Sequence, residues 1–184
     1  MGWLSRIVIV VTDKGSNMNI RQRRINSDFK SLIDLTKNNP LIDFEILSND
    51  RDKFIVTYRC RGLQWLPERP RPNIIKLHKV EIYLHTEYPR LPPRLQWLTD
   101  IFHPNILPPA MNGGVCIGKW SPSESLGRLV VRIGRMVQYQ NYSTTDALNL
   151  QAAAWAKENE SSLPVDDQPL DNHPDPTDVT IGAK

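Results

Sequence analysis

Asn105 and Cys116 lie eleven residues apart, in a stretch broken by proline and glycine: His103-Pro104-Asn105, then Gly113-Gly114-Val115-Cys116-Ile117-Gly118. A thiolate is a strong nucleophile, and an amide side chain can donate hydrogen bonds to a developing oxyanion. The pair suits acyl transfer through a thioester. An unperturbed thiol, with a pKa of about 8.5, is roughly a few per cent ionised at neutral pH. Exchange between thiols can work with that, because the leaving group is also a thiol. A lysine acceptor is harder. With a pKa of about 10.4, about one in a thousand is neutral, so it needs desolvation or a proton acceptor.

Other chemistries fit these residues less well. His103 precedes Pro104 and is restricted to an extended backbone, which suits packing against the loop better than general-base work. His78, His85, His103, Cys60 and Cys116 are scattered without ligand spacing, so neither a metal nor another cofactor is expected. A papain-like thiol protease needs a histidine to pair with Cys116. The only one downstream, His173, falls in a polar tail. No basic strip interleaved with aromatic residues marks a nucleic-acid module.

Charge is unevenly placed. The chain of 184 residues has a formal net charge of +3, yet residues 159–184 hold six acids and one lysine. Residues 1–158 are therefore basic, with cations spread along many segments as on a solvated surface. Two cysteines make no disulfide framework and fit a reducing compartment. The apolar run at residues 7–11 is far too short to span a bilayer and resembles no signal peptide. A soluble, cytoplasmic protein is expected.

The elements that must position the pair are legible in the periodicity. Residues 19–38 read as a helix, with Ile25, Phe29, Leu32 and Ile33 on one stripe and Asn38-Asn39-Pro40 as the stop. Arg21, Arg23 and Arg24 sit in its first turns, where the helix dipole disfavours cations, and this hints at a binding role. Alternation then predicts four strands: Ile42, Phe44 and Ile46; Phe54, Val56, Tyr58 and Cys60; Val80, Ile82 and Leu84; Leu95 and Trp97. A Pro/Arg-rich loop, residues 66–73, joins the second to the third. Cys60 falls in the alternation, as an inert core thiol would.

Residues 99–119 read as a long irregular loop, the kind that carries function. A capping box at Ser121-Pro122-Ser123-Glu124 predicts a second helix, and Asn149 caps a third containing Ala152, Ala153 and Ala156. The chain divides into an extension at 1–18, a domain at 19–158 and a disordered acidic, Pro-rich tail at 159–184. The class is α+β: an N-terminal helix, a four-stranded antiparallel meander, a long loop, then two helices.

Taken in order, Tyr88-Pro89-Arg90-Leu91-Pro92-Pro93, His103-Pro104-Asn105, Gly114-Val115-Cys116-Ile117, Trp120-Ser121-Pro122 and Leu148-Asn149 closely resemble the ubiquitin-conjugating enzymes. The likeness covers roughly residues 19–158. It implies the fold of that family and a transthiolation enzyme. An activating enzyme hands a ubiquitin-like modifier to Cys116 as a thioester, and Cys116 passes it to a lysine or other nucleophile of a target protein, with or without a ligase. Asn105 matches a residue that stabilises the oxyanion or its loop. Asp146 matches an acid that orients and deprotonates the lysine. Arg21, Arg23 and Arg24 match the surface for the activating enzyme, and Trp120 and Pro122 a loop for ligase contact.

The chain departs from the family's pattern in four places. The loop from Asn105 to Cys116 is longer and that from Cys116 to Trp120 shorter. Arg90 replaces an aromatic ligase contact, and a fourth helix has no counterpart. These departures suggest a divergent system of prokaryotic type, such as a defence or signalling operon with one dedicated target. The rival reading is a non-catalytic variant that binds ubiquitin-like proteins as a scaffold.

Overall fold

A computed structural model describes residues 19–171. The expected extension at 1–18 lies outside them, as does the tail beyond 171. Asn19 caps the first helix, α1 (Ile20–Thr36), by accepting from the Gln22 N–H. Ile25, Phe29 and Leu32 are its buried stripe. They pack on an antiparallel sheet of order β1-β2-β5-β6: β1 Ile42–Ile46, β2 Lys53–Tyr58, β5 His78–Tyr83, β6 Arg94–Trp97. Phe54, Val56, Tyr58, Val80, Ile82 and Trp97 alternate into one core. Ile46 departs from its expected inward place and is 41% exposed at the end of the edge strand.

The loop expected at residues 66–73 is the turn of a hairpin. Strands β3 (Gly62–Gln64) and β4 (Asn73–Ile75) pair with Gly62 opposite Ile75. Three-residue strands are too short for alternation to announce them. Gly62 is required by a close approach, since a Cβ there would lie 2.7 Å from the His78 ring.

The second helix, α2 (Leu126–Val137), begins later than the capping box suggested, with Ser125 as its N-cap. Ser121 instead closes a turn, its carbonyl accepting from Glu124 N–H at 2.9 Å. The start is displaced because α1 supplies the caps: Asp28 accepts from Leu126 N–H at 2.9 Å and Ser31 Oγ from Gly127 N–H at 3.0 Å. The third helix, α3 (Leu150–Glu158), starts at Asn149 as expected.

Residues 159–171 are not a disordered tail. Leu170 is buried in the main core, and Val165 N–H donates to Gln138 O at 3.0 Å. Gln138 and Asn39 side chains bond the carbonyls of Gln168 and Leu170. The segment is fastened by polar bonds to its backbone, which composition does not reveal.

Candidate active site

Backbone pairing builds the seat of the cysteine. Cys116 N–H donates to Asn105 O, Leu107 N–H to Gly114 O and Trp97 N–H to Gly113 O, each at 2.8 Å. Residues 113–116 are thereby held between β6 and residues 105–107. Gly113 has φ +64°, and a Cβ there would lie 2.6 Å from Trp97 O, so this rung admits only glycine. Cys116 is half-buried and unbridged. On its far side Arg132 of α2 donates to Ile117 O. Arg132 is itself gripped by Glu124 at 2.8 and 2.6 Å, a two-pronged pair that fixes the guanidinium.

Asn105 is buried and central. Its Nδ2 donates to Ser143 O at 3.1 Å and Asp146 O at 3.0 Å, and its Oδ1 accepts from Ser143 N–H at 2.7 Å. Both amide protons are thus engaged in holding residues 143–146. Pro104 O accepts from Leu148 and Asn149 N–H, completing the seam. Asn105 therefore touches the backbones of both Cys116 and Asp146. The Asp146 side chain is exposed on that braced loop.

His103 is fully buried, accepts from Asn105 N–H at Nδ1 and lies edge-on to Tyr139 at 4.7 Å. Burial lowers its pKa to about 3, so it is a neutral support of the loop and not a proton carrier. Cys60 is closed off, its pKa raised to about 12 by burial and then by Asp166. Among the described residues no group of His, Cys, Asp and Glu could hold a metal ion, and no helix is long and apolar enough to cross a membrane.

Of the remaining predicted residues, Arg24, Trp120 and Pro122 meet around Tyr88, while Arg21, Arg23 and Arg90 lie apart from them. Arg24 donates to Asp28, Tyr88 Oη and the carbonyls of Pro122 and Glu124. Arg21 donates to Leu84 O at 2.6 Å. Both arginines face inward partners, and their unfavourable place on the dipole is answered by these bonds. Arg23 alone of the three is exposed. Trp120 donates to Pro89 O at 2.9 Å and packs on Tyr88, while Pro122 stays exposed beside them. Arg90 pairs with Glu87 at the surface, which holds that carboxyl below its usual range.

Sequence reasoning missed Asp28, Arg132 and Ser143. Asp28 is buried with three donors: Arg24 and Tyr88 Oη, both at 2.6 Å, and Leu126 N–H. An aspartate on the apolar stripe beside Phe29 was the available signal. Arg132 lies with Arg128 and Arg135 on the polar face of the second helix, so no sequence pattern sets it apart. Ser143 offers only backbone atoms to Asn105, so no side-chain pattern marks it.

Residues 75–164 match the family model described as ubiquitin-conjugating enzyme. The chain is 28% identical over 140 residues to "Ubiquitin-conjugating enzyme E2 S" of Drosophila grimshawi, covering 73% of this chain and 61% of the relative. It is 29% identical over 148 residues to "Ubiquitin-conjugating enzyme E2 22" of Arabidopsis thaliana, covering 78% of this chain and 55% of the relative. These matches span little more than half the length of those relatives. A solved structure titled "Novel Ubiquitin-Conjugating Enzyme" superposes with a TM-score of 0.54 at 25% identity, covering 76% of this chain and 86% of the other. Both curated relatives are eukaryotic, so the expectation of a prokaryotic type finds no support in them.

Proposed function

We propose that this chain is a conjugating enzyme of the ubiquitin-conjugating family, in which Cys116 carries a ubiquitin-like modifier as a thioester. The observation that carries the reading is Asn105, bonded by its carbonyl to Cys116 N–H and by its side chain to the Asp146 loop. Nucleophile and acid are thereby braced through one residue.

The Cys116 thiolate attacks the thioester carbonyl presented by the activating enzyme. A new C–S bond forms, the old one breaks, and the activating enzyme's thiolate leaves. A target lysine then attacks the Cys116 thioester. Cys116 departs as thiolate, and the amine loses its proton to Asp146 or to water. Asn105 acts here first as the brace. Its amide protons turn to an oxyanion only if loop 143–146 loosens. Arg23 and the exposed faces of Trp120, Pro122 and Arg90 are the candidate contacts for the activating enzyme or a ligase.

Charging tests this. The protein, its cognate activating enzyme, modifier and ATP should yield an adduct that thiol reagents remove. Cys116→Ala should abolish it, and Cys116→Ser should replace it with a thiol-resistant ester or nothing. Asp146→Ala should slow transfer to lysine more than charging. Charging retained in Cys116→Ala ends the assignment. No adduct from a demonstrably active activating enzyme and matched modifier leaves the scaffold reading.

A further inference from the structure

The β3–β4 hairpin takes no part in the thioester chemistry, and almost all of it precedes the family match, which begins at residue 75. Residues 59–79 contain six cations, Arg59, Arg61, Arg69, Arg71, Lys76 and Lys79, against one acid, Glu68. Residues 67–71 at the tip are exposed, as are Ile74 and Leu77. Arg59 lies 3.6 Å from Asp43, and Arg61 3.9 Å from Asp166. Arg69, Arg71 and Lys76 have no carboxylate partner among the described residues.

The root is firm and close to the site. Leu63 O accepts from Phe102 N–H at 2.7 Å, and Trp65 packs on Phe102 at 5.2 Å. Asn105, which holds Cys116, follows three residues later. Extended chain spans about 3.3–3.6 Å per residue and paired strands lie about 4.8 Å apart, so Leu63 and Cys116 backbones are within roughly 20 Å.

We propose that this hairpin is a docking arm for an acidic segment of the target protein, holding the target while its lysine meets Cys116. Charge complementarity gives the occupant its sign. The exposed Ile74 and Leu77 between the cations suit a peptide. Single-stranded nucleic acid needs exposed aromatic faces, and the hairpin's one aromatic residue, Trp65, is packed on Phe102. A cavity of about 530 Å³ at the foot is lined by Arg59, Arg61 and Lys76 but also by Asp166 and Asp167. These two acids confine the acidic contact to the outer cations. Delivery to the thioester rests on the reading of Cys116, whereas binding by the arm does not.

The test is fluorescence anisotropy on the full chain with a short labelled peptide of alternating Glu and Gly, and its Gln counterpart. The Glu peptide should bind about tenfold tighter at low salt and lose that advantage as salt screens it. The double variant R69E/R71E should weaken binding about tenfold. The double variant K30E/K37E, altering exposed Lys30 of α1 and exposed Lys37 at its C-cap, should change it less than about twofold. Equal affinity for the two peptides overturns the proposal. So does equal loss in the two variants, which would make the attraction one of net charge. Tighter binding of a short oligonucleotide than of the Glu peptide also overturns it, in favour of nucleic acid. Charging measured alongside keeps the two ideas apart: an uncharged Cys116 ends the enzyme reading and leaves the anisotropy result standing.

Discussion

Cys60 and Cys116 are the same residue in opposite surroundings. Cys60 follows β2 in the main core, beside residues 166–169, with two per cent of its surface exposed. Its own side chain is part of the packing, and burial disfavours its thiolate. Cys116 is held by its backbone. Its N–H binds Asn105 O, its neighbour Ile117 is fixed by Arg132, and glycines stand two residues away on either side. The side chain is thus left half-exposed while the segment is immobile. The difference teaches that a thiol's exposure is set by what holds its segment: backbone bonds at Cys116, packing of the side chain itself at Cys60.

Alkylation measures this difference most directly. Raising the Cys60 pKa from 9.0 to about 12 reduces its thiolate fraction by about 10³. Iodoacetamide on the native protein, read by peptide mass, should therefore modify Cys116 well before Cys60, since burial adds to the effect. Comparable rates would break the comparison. Removing the brace should have the next largest effect. Asn105→Ala leaves Ser143 N–H, Ser143 O and Asp146 O without partners, and should cost about 2–4 kcal/mol in urea unfolding. Hydrogen exchange should speed at residues 143–149 and leave the neighbourhood of Cys60 slow. Uniform acceleration would mean that the two regions are not independently held.

Most of the fold was legible because the four main strands alternate over enough residues and α1 carries a clean stripe. The irregular loop that brings Asn105 and Cys116 into backbone contact was legible because glycine, proline and polar residues broke that periodicity in one place. What stayed hidden shares one physical character, the bond between a side chain and a distant backbone. Asp28 displaced the start of α2 by taking the Leu126 N–H. Gln138 and Asn39 drew a polar segment onto the core. Arg24 spent its charge on Asp28, Tyr88 and two carbonyls and not on a partner. The hairpin of β3 and β4 was missed for a different reason: its strands are too short to have a period.

The last expected effect asks whether the two regions also share something. Each contains a buried histidine held neutral: His78 packed against Gly62 near Cys60, and His103 beneath Asn105. Burial lowers their pKa values to about 4 and about 3, from about 6.5 in the unfolded chain. Because the folded values are depressed, unfolding takes up protons once the pH falls below about 6.5. Stability is full above that value and is lost on acidification toward pH 4, by up to about 1.4 kcal/mol per pH unit for each histidine. Urea unfolding between pH 7.5 and 4.5 should show this slope. His103→Gln, which keeps an acceptor within reach of Asn105 N–H, should flatten it by about one histidine's share. His78→Gln should do the same from the other side. Equal flattening would mean that both thiols, half-exposed and buried, stand on the same acid-sensitive footing. A slope that only His78→Gln removes would mean that the loop under Cys116 yields to acid without opposing it, and would sharpen the contrast between a region held by its core and one held by its backbone.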